Sequence, residues 1–282
     1  MVLPDTQNTK PEAALRLTEV GIQKLKTLMT IERNGTVFKF IPVCDLFIDL
    51  PENLKGAHLS RLVEAITAVL TREAPAYHES VERMAVTVLN KVFEKHPFIR
   101  AKISLEFDFA VVSMTPKSEK QSIEVYRIKV TCVKQKEHVD PYFRVTVTSR
   151  GNTACPHGLA TSNGRTHIQR AVGMLTVMGI EENVPAFEEM IDVVENSFSS
   201  RTYSILKTVD EVAVINRMYE NPSFCEDVTR RILAEAQNSF VKKTGRILDI
   251  EAKTISEESI HKHNVSSRGE IKNGAVPSTI KW

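Results

Sequence analysis

The sequence predicts an α+β protein in which antiparallel sheets carry helices on one face. Three observations support this fold class: stretches with alternating apolar residues, stretches with a helical apolar stripe, and a ββααββ order that occurs twice. The two units share no obvious residue identity, so the repeat is one of pattern alone. We expect residues 1–15 to form an N-terminal arm, 16–135 the first module and 136–282 the second, within one compact unit.

The first unit opens with two β-type stretches, near Val20 to Ile31 and Thr36 to Leu50, separated by the hairpin turn signal Asn34-Gly35. One helix follows from about His58, and a second runs from about Ser80 to Lys95. Their apolar stripes are Leu59, Leu62, Val63, Ile66, Val69 and Leu70, then Val81, Met84, Val88, Leu89 and Val92. Two strands with apolar alternation close the unit, at Ile103, Leu105, Phe107 and Phe109, and at Tyr126, Ile128, Val130 and Cys132.

The second unit repeats this order with additions. A strand alternates at Phe143, Val145 and Val147, and an irregular segment covers Ser149 to Arg165. The remaining predicted elements are a strand near His167 to Val177, helices at Pro185 to Phe198, Asp210 to Tyr219 and Pro222 to Phe240, and a strand near Arg246 to Ala252.

Composition excludes several classes of protein. No stretch approaches the roughly 20 apolar residues of a membrane span, and a net charge of +2 lacks the basic excess of a nucleic-acid binder. The four cysteines, Cys44, Cys132, Cys155 and Cys225, are widely spaced, which favours a reducing cytoplasm over a disulfide framework. Because sheet edges left open invite pairing, we expect a homodimer or homotetramer.

Cys155 and His167 are the first candidate site residues. Cys155 lies in the Cys-Pro-His-Gly loop and His167 begins a strand, so both side chains can reach one metal ion. Thiolate and imidazole are the usual protein ligands of zinc and iron. A buried thiol beside a surface histidine explains the same residues about equally well.

A second cluster lies near the C-terminus and contains Glu258, His261 and His263. In an extended segment the two histidines point to the same side of the backbone, and a carboxylate with two imidazoles suits proton transfer near neutral pH. A solvated polar loop is the alternative interpretation.

Two further clusters suit a nucleotide. A carboxylate such as Glu226 can accept two parallel N–H bonds from a guanine edge. The alternative interpretation is that Glu226 stabilises the first turn of its helix, where acidic residues are favourable. Glu211 would have the same role in the preceding helix, beside Asp210 as the capping residue. Lys55, His58 and Arg61 lie at the predicted start of a helix, where cations suit a polyphosphate. The alternative interpretation is an ordinary helix start.

In this order the motifs resemble the type IB GTP cyclohydrolase family, particularly its archaeal branch. The resemblance spans nearly the whole chain. The residues that carry it are Leu3-Pro4-Asp5, Val20-Gly21-Ile22, Lys55-Gly56-Ala57-His58-Leu59-Ser60-Arg61, Cys155-Pro156, His167-Ile168-Gln169-Arg170, Ser199-Ser200-Arg201-Thr202, Val209-Asp210-Glu211 and Glu258-Ser259-Ile260-His261-Lys262-His263.

The resemblance implies a tunnelling fold of two tandem ββααββ modules and a site for Fe²⁺, with Zn²⁺ or Mn²⁺ as alternatives. The implied metal ligands are Cys155, His167 and Glu211, and Cys155 is also counted as catalytic. Glu226 would bind the guanine base. Proton transfer would be the role of Glu258, His261 and His263. Many relatives carry Cys-Pro-Cys where this chain has Cys155-Pro156-His157. A ligand role for His157 is therefore left open.

The implied reaction is hydrolysis of GTP at C8 with release of formate. The archaeal branch yields 7,8-dihydroneopterin 2′,3′-cyclic phosphate for methanopterin synthesis, whereas the main branch yields the triphosphate. A non-catalytic protein that binds metal or nucleotide is the alternative from another class. The presence of Glu258, His261 and His263 beside the predicted metal ligands favours catalysis, because a binding module needs no acid–base set.

Overall fold

A single antiparallel sheet of nine strands organises the chain in the computed structural model, which describes residues 5–33, 36–70, 80–96 and 98–282. The strand order is β1-β4-β5-β6-β7-β8-β10-β11, with β9 paired to β7, and β2 and β3 form a separate hairpin. The strands are β1 (Leu17–Lys26), β2 (Met29–Arg33), β3 (Thr36–Phe40), β4 (Val43–Leu50), β5 (Arg100–Met114), β6 (Gln121–Gln135), β7 (Tyr142–Ala154), β8 (Ile168–Gly179), β9 (Ser200–Arg201), β10 (Asp249–Ser256) and β11 (Val265–Ile271).

Six helices lie between these strands in the described residues: α1 (Leu59–Leu70), α2 (Val81–Lys95), α3 (Pro156–Thr161), α4 (Phe187–Ser197), α5 (Thr208–Glu220) and α6 (Cys225–Ala236). A 3-10 turn covers Glu181–Asn183, and a π-helical turn, Gln237–Lys242, continues α6. The side chain of Ser80 caps α2 by accepting a hydrogen bond from Arg83 N at 3.0 Å, which explains where this helix begins.

The main core lies between the sheet and helices α1, α2, α4 and α6. Alternate residues of the central strands point into it, and the predicted β5 and β6 positions are all buried. The stripe predicted for α2 is confirmed, since each of its five residues is at most 1% exposed. The stripe predicted for α1 is partly wrong, because Leu59 and Val63 are 45% and 36% exposed.

The predicted tunnelling-fold class, with two tandem modules and helices on one face, is wrong. β6 pairs with β7 from Arg127↔Thr148 to Val133↔Tyr142, so strands of both halves belong to one nine-stranded sheet. This pairing is favourable because Ile128, Val130, Val145 and Val147 bury their side chains on one continuous face. In addition, α5 packs in a separate small cluster at the end of β7, so the helices are not confined to one face.

Other differences concern element boundaries. The segment predicted to contain the first two strands contains four, β1 to β4. The Asn34-Gly35 turn between β2 and β3 lies outside the described residues, as do Leu3 and Pro4. The segment predicted as irregular contains the end of β7 and all of α3. The predicted module boundary at residues 135 and 136 stays a prediction.

Candidate active site

A cavity of about 240 Å³ opens where β7 and β10 end and β8, β11 and α6 begin. Antiparallel neighbours bring these chain ends to the same edge of the sheet. The cavity is lined by Cys155, His167, Gln169, Ser223, Phe224, Cys225, Glu226, Glu258, His261, His263 and Val265. The structure therefore brings together six of the predicted site residues, which come from four separate segments of the chain.

Cys155 and His167 are held side by side by the main chain. Cys155 N donates a hydrogen bond to His167 O at 3.2 Å, which extends the β7–β8 pairing past Ala154↔Ile168. Cys155 is also the N-cap of α3, and its Sγ accepts a hydrogen bond from Gly158 N at 3.3 Å. The thiol thus lies at a fixed position at the cavity wall.

Glu258, two residues after the end of β10, lines the cavity close to His167. Ser256 Oγ donates to Glu258 Oε1 at 2.8 Å, and the carboxylate Oε2 is 4.0 Å from His167 Nδ1. Gln169 lies between them: its Oε1 is 2.8 Å from His167 Nδ1, and its Nε2 donates to Glu258 Oε1 at 3.4 Å. The side chain of Glu258 is only 11% exposed, so this carboxylate is held in a sheltered position.

His261 and His263 belong to the loop between β10 and β11, and both are exposed. The extended conformation expected for this segment is wrong, because the residues form a turn and bends. The two rings nevertheless lie on the same side and stack, with centroids 5.2 Å apart and an interplanar angle of 20°. Glu257 N donates to Arg170 O at 2.8 Å and so fixes the start of the loop against β8.

The first turn of α6 forms the wall that carries Glu226. Glu226 is exposed, and within the described part of the chain its carboxylate has no hydrogen-bond partner. The neighbouring Phe224 is 45% exposed at the same cavity. A free carboxylate beside an exposed aromatic ring is suited to a flat heterocycle with N–H donors on its edge.

A buried hydroxyl network holds α6 in place. Thr229 Oγ1 donates to Thr254 Oγ1 of β10 at 2.8 Å and contacts Ser267 Oγ of β11 at 2.5 Å. Ser267 Oγ in turn donates to the carbonyl of Cys225 at 3.0 Å. Burial raises the pKa of the Cys225 thiol, partly offset by its hydrogen bond with Ser267. The helix bearing Glu226 is therefore tied to both strands that flank the loop bearing the two histidines.

Glu211 and His157 are not among the residues that line the cavity. Glu211 is exposed on α5, where it shares a helical face with Val214 and Met218, which pack in one cluster with Ala154. It therefore lies on the side of α5 that faces the chain leading into Cys155. His157 is exposed in α3.

The cavity offers two donor atoms that suit a metal ion. Cys155 supplies a thiol sulfur, and His167 has Nδ1 engaged by Gln169, which leaves Nε2 as the ring nitrogen for ligation. These two residues fit a divalent transition metal. Across the described ranges, no three His, Cys, Asp or Glu side chains are grouped closely enough to hold a metal ion. The assignment of Glu211 as third ligand stays a prediction.

Lys55, His58 and Arg61 lie at the start of α1 and are not brought into the cavity. His58 Nε2 is 3.5 Å from Asp5 Oδ1, and Lys55 N donates to Gln7 O and Thr9 O, so this segment holds the N-terminal residues. Their proposed contact with phosphate stays a prediction.

Sequence reasoning missed Gln169, Phe224 and Ser256 as parts of the site. Gln169 is two residues after His167 on a strand, and residues at that spacing share a face. That spacing was the available signal. Ser256 and Phe224 carry no pattern that distinguishes them before the fold is known.

The chain matches the family model described as type I GTP cyclohydrolase folE2 over residues 3–267. It is 44% identical to GTP cyclohydrolase MptA of Pyrococcus abyssi over 265 residues, 93% of this chain and 97% of that protein. The chain belongs to the type I GTP cyclohydrolase family. It is accordingly an enzyme, a hydrolase whose substrate is GTP, as the motifs predicted.

Other MptA proteins are similar over the same extent. The GTP cyclohydrolase MptA of Pyrococcus furiosus is 43% identical over 93% of this chain and 97% of its own, and that of Methanoculleus marisnigri is 30% identical over 94% and 93%. Coverage of this extent means that the cavity lies in the region shared by these GTP cyclohydrolases.

Among solved structures, uricase from Arthrobacter globiformis superimposes with a TM-score of 0.56 at 6% identity, over 93% of this chain and 95% of that one. A hyper-thermostable uricase mutant gives a TM-score of 0.57 at 5% identity, over 93% and 94%. At such identity the likeness concerns the fold alone. None of the described helices has the length and apolar character needed to cross a membrane.

Proposed function

We propose that this GTP cyclohydrolase belongs to the archaeal MptA branch of the type IB enzymes. On this proposal it hydrolyses GTP at C8, releases formate and forms 7,8-dihydroneopterin 2′,3′-cyclic phosphate for (methano)pterin synthesis. The observation that carries the proposal is that Cys155, His167, Glu226, Glu258 and the histidine pair line one and the same cavity. Similarity to MptA proteins supports the choice of branch.

The guanine base is the part of GTP that fits the cavity. The cavity volume of about 240 Å³ is below the 300–1,000 Å³ typical of sites that enclose a whole drug-sized ligand. Glu226 would accept the two parallel N–H bonds of the guanine edge, and Phe224 would lie against the ring. The ribose and phosphates would then extend through the cavity mouth.

Cys155 and His167 would hold the metal, with Glu211 as the proposed third ligand and His157 as a further candidate. Fe²⁺ is the proposed ion, and Zn²⁺ or Mn²⁺ suit the same donor atoms. The chemistry that such an ion supplies when bound is a water molecule whose pKa is lowered towards roughly 7.

Proton transfer is assigned to Glu258, His261 and His263. Ring opening and loss of formate each move protons to or from ring nitrogens and oxygens, and positioned carboxyl and imidazole groups perform such transfers. Glu258 is held by Ser256 and Gln169 and so has a defined orientation, while the stacked histidines are exposed at the mouth and can exchange protons with solvent.

We further propose that the chain acts as a homodimer or homotetramer. Among the described residues, β1 and β11 are the outer strands of the sheet, and the backbone groups on the outer side of such strands can pair with a second copy of the chain. Lys55, His58 and Arg61 are far along the chain from the cavity, and contact with the phosphates of GTP is proposed for them within such an assembly. Light scattering after gel filtration would give the number of subunits.

The test is anaerobic turnover of GTP by metal-free protein to which Fe²⁺, Zn²⁺ or Mn²⁺ is restored. We expect formate release with Fe²⁺ and a product whose ³¹P spectrum shows a cyclic phosphodiester. A product that retains three phosphates would instead place the enzyme in the main branch of the family. Nucleotide binding without formate release under every metal would contradict the proposal.

A further inference from the structure

Gln169 occupies a buried position that joins the two chemical halves of the cavity. It is the second residue of β8, pairs with Thr153 of β7, and is 8% exposed. On one side it contacts His167, a proposed metal ligand, and on the other Glu258, a proposed proton-transfer group. A polar side chain buried in this way needs partners for both ends of its amide.

The hydrogen bonds determine which way the amide of Gln169 points. Its oxygen can only accept and its nitrogen can only donate. Since a carboxylate oxygen can only accept, the amide nitrogen must face Glu258, and the amide oxygen then faces His167 Nδ1 at 2.8 Å. The opposite orientation would place two acceptor oxygens against each other at Glu258.

The same geometry determines the tautomer of His167. An amide oxygen at Nδ1 requires a proton on Nδ1, so the lone pair of the neutral ring is on Nε2. Glu258 Oε1 accepts from both Gln169 Nε2 and Ser256 Oγ, while Glu258 Oε2 takes part in neither bond and lies 4.0 Å from His167 Nδ1. One side chain thus orients a ligand nitrogen and a carboxylate at once.

We propose that Gln169 is a positioning residue that presents His167 Nε2 to the metal and holds Glu258 in its proton-transfer orientation. The inference rests on the proposed function, since it concerns the same cavity. It adds a coupling: any change that rotates this amide alters metal binding and proton transfer together.

Two substitutions separate these effects. Gln169→Glu keeps an acceptor for His167 but loses the donor and sets a second carboxylate against Glu258. We expect its metal affinity to stay near that of the wild type while kcat falls by at least about 10-fold. Gln169→Leu loses both contacts, and we expect metal affinity and kcat each to fall by about 10- to 100-fold, as observed when outer-shell partners of ligands are removed.

Gln237→Leu is the matched control. Gln237 is half-buried and makes two amide hydrogen bonds with Asn273, at 3.3 and 3.0 Å, on the π-helical turn away from the cavity. This control should lower Tm and leave metal affinity and kcat unchanged. Equal metal affinity and kcat in Gln169→Leu and the wild type, or losses in Gln237→Leu that match those of Gln169→Leu, would overturn the proposal.

A measurement on metal-free protein separates this inference from the proposed function. Long-range ¹H–¹⁵N spectra of histidine-labelled protein at about pH 8 report the tautomer of each neutral ring, and the His167 signals are identified by their absence in His167→Gln. We expect the Nδ1–H form of His167 to predominate in the wild type and no longer to predominate in Gln169→Leu. An Nε2–H form in the wild type would refute the inference, whereas absent GTP turnover with the expected tautomer would refute only the proposed function.

Discussion

At the scale of single residues, Cys155 combines two separable properties. Its sulfur lines the cavity, and the same atom caps α3 by accepting from Gly158 N at 3.3 Å. A serine in its place retains a cap acceptor but loses the soft sulfur ligand, whereas an alanine loses both. Comparing the two variants therefore distinguishes a metal ligand from a structural residue.

We predict that Cys155→Ser and Cys155→Ala both abolish turnover and lose bound metal. The stability of the metal-free proteins should separate the two variants. Metal-free Cys155→Ser should keep nearly the Tm of the metal-free wild type, whereas the free energy of unfolding of metal-free Cys155→Ala should be lower by about 1 kcal/mol because the cap is missing. Metal per chain by mass spectrometry and calorimetric melting give the two readouts. Wild-type activity in either variant would remove Cys155 from the proposed ligand set.

Glu226 has a neighbour that serves as its control. Asp227 Oδ2 accepts from Phe224 N at 3.1 Å and so caps α6, while the Glu226 carboxylate is free to meet substrate. We predict that Glu226→Gln weakens GTP binding by about 2 to 3 kcal/mol, the range for a lost charge-assisted pair, with metal content unchanged.

Asp227→Asn should lower Tm slightly and leave GTP affinity at the wild-type value, because its role is confined to the helix end. Calorimetric titration with a non-hydrolysed GTP analogue measures both variants. If Glu226→Gln lost metal and kept nucleotide affinity, its role would have to be exchanged with that of Glu211.

At the scale of elements, the N-terminus of α5 is fixed by one buried carboxylate. Asp210 is fully buried and accepts hydrogen bonds from Lys117 N, Ser118 N, Ser118 Oγ and Lys207 N at 2.6 to 2.9 Å. Burial alone would raise the pKa of Asp210, but the hydrogen bonds from Ser118, Lys207 and Lys117 outweigh it and hold that pKa well below its usual range. Asp210 thus joins α5 to the β5–β6 turn.

The lowered pKa predicts how the contribution of Asp210 to stability depends on pH. A carboxyl group that ionises more readily in the folded state stabilises the fold above its unfolded pKa, near 4, and loses this contribution as the pH falls towards the folded pKa. We expect Asp210→Asn to have a lower Tm than the wild type at pH 7, with a difference that shrinks below about pH 4.

Asp108→Asn is the control for this experiment, because Asp108 is 60% exposed and pairs with Arg127 at the surface. Exposed pairs contribute little to stability, so its Tm should follow that of the wild type at every pH. A Tm difference for Asp210→Asn that is constant from pH 7 to pH 3 would contradict the assigned role.

At the scale of the whole molecule, one hydrophobic core spans both halves of the chain. The main cluster contains Met29, Leu46 and Ile103 from the first half and Leu175 and Ala252 from the second. Because the β6–β7 pairing continues the sheet beneath this core, neither half can lose its packing without exposing the other. Cooperative unfolding follows from such sharing.

We predict that the protein unfolds in a single calorimetric transition, and that substitutions in either half of the chain change the Tm of that transition. Leu46→Ala and Leu175→Ala, both at positions that are 0% exposed, should each lower the free energy of unfolding by about 2 to 5 kcal/mol. Val139→Ala, at a position 95% exposed, should leave the transition unchanged. Two transitions, each sensitive to only one of the leucine substitutions, would instead indicate independently folding halves.

Local elements with strong periodicity could be predicted from the sequence. The α2 stripe and the alternation of β5 and β6 are buried as expected, since a repeat of 3.6 or 2 residues leaves little choice of face. The four strands before α1 and the strand β11 could not be separated in the same way. The boundaries of these strands depend on the partner strands with which they pair in the sheet. β11, for example, is a strand because it pairs with β10.

The sequence by itself determined the family of this protein and most residues proposed for its chemistry. Those residues are specified by the reaction proposed for them, because a thiol, imidazoles and carboxylates have few substitutes in metal-assisted hydrolysis. Tertiary structure alone decided that the two halves form one sheet and that Gln169 joins His167 to Glu258. The single sheet and the contact of Gln169 with Glu258 depend on segments far apart in the chain, and such contacts leave no periodic trace in the sequence.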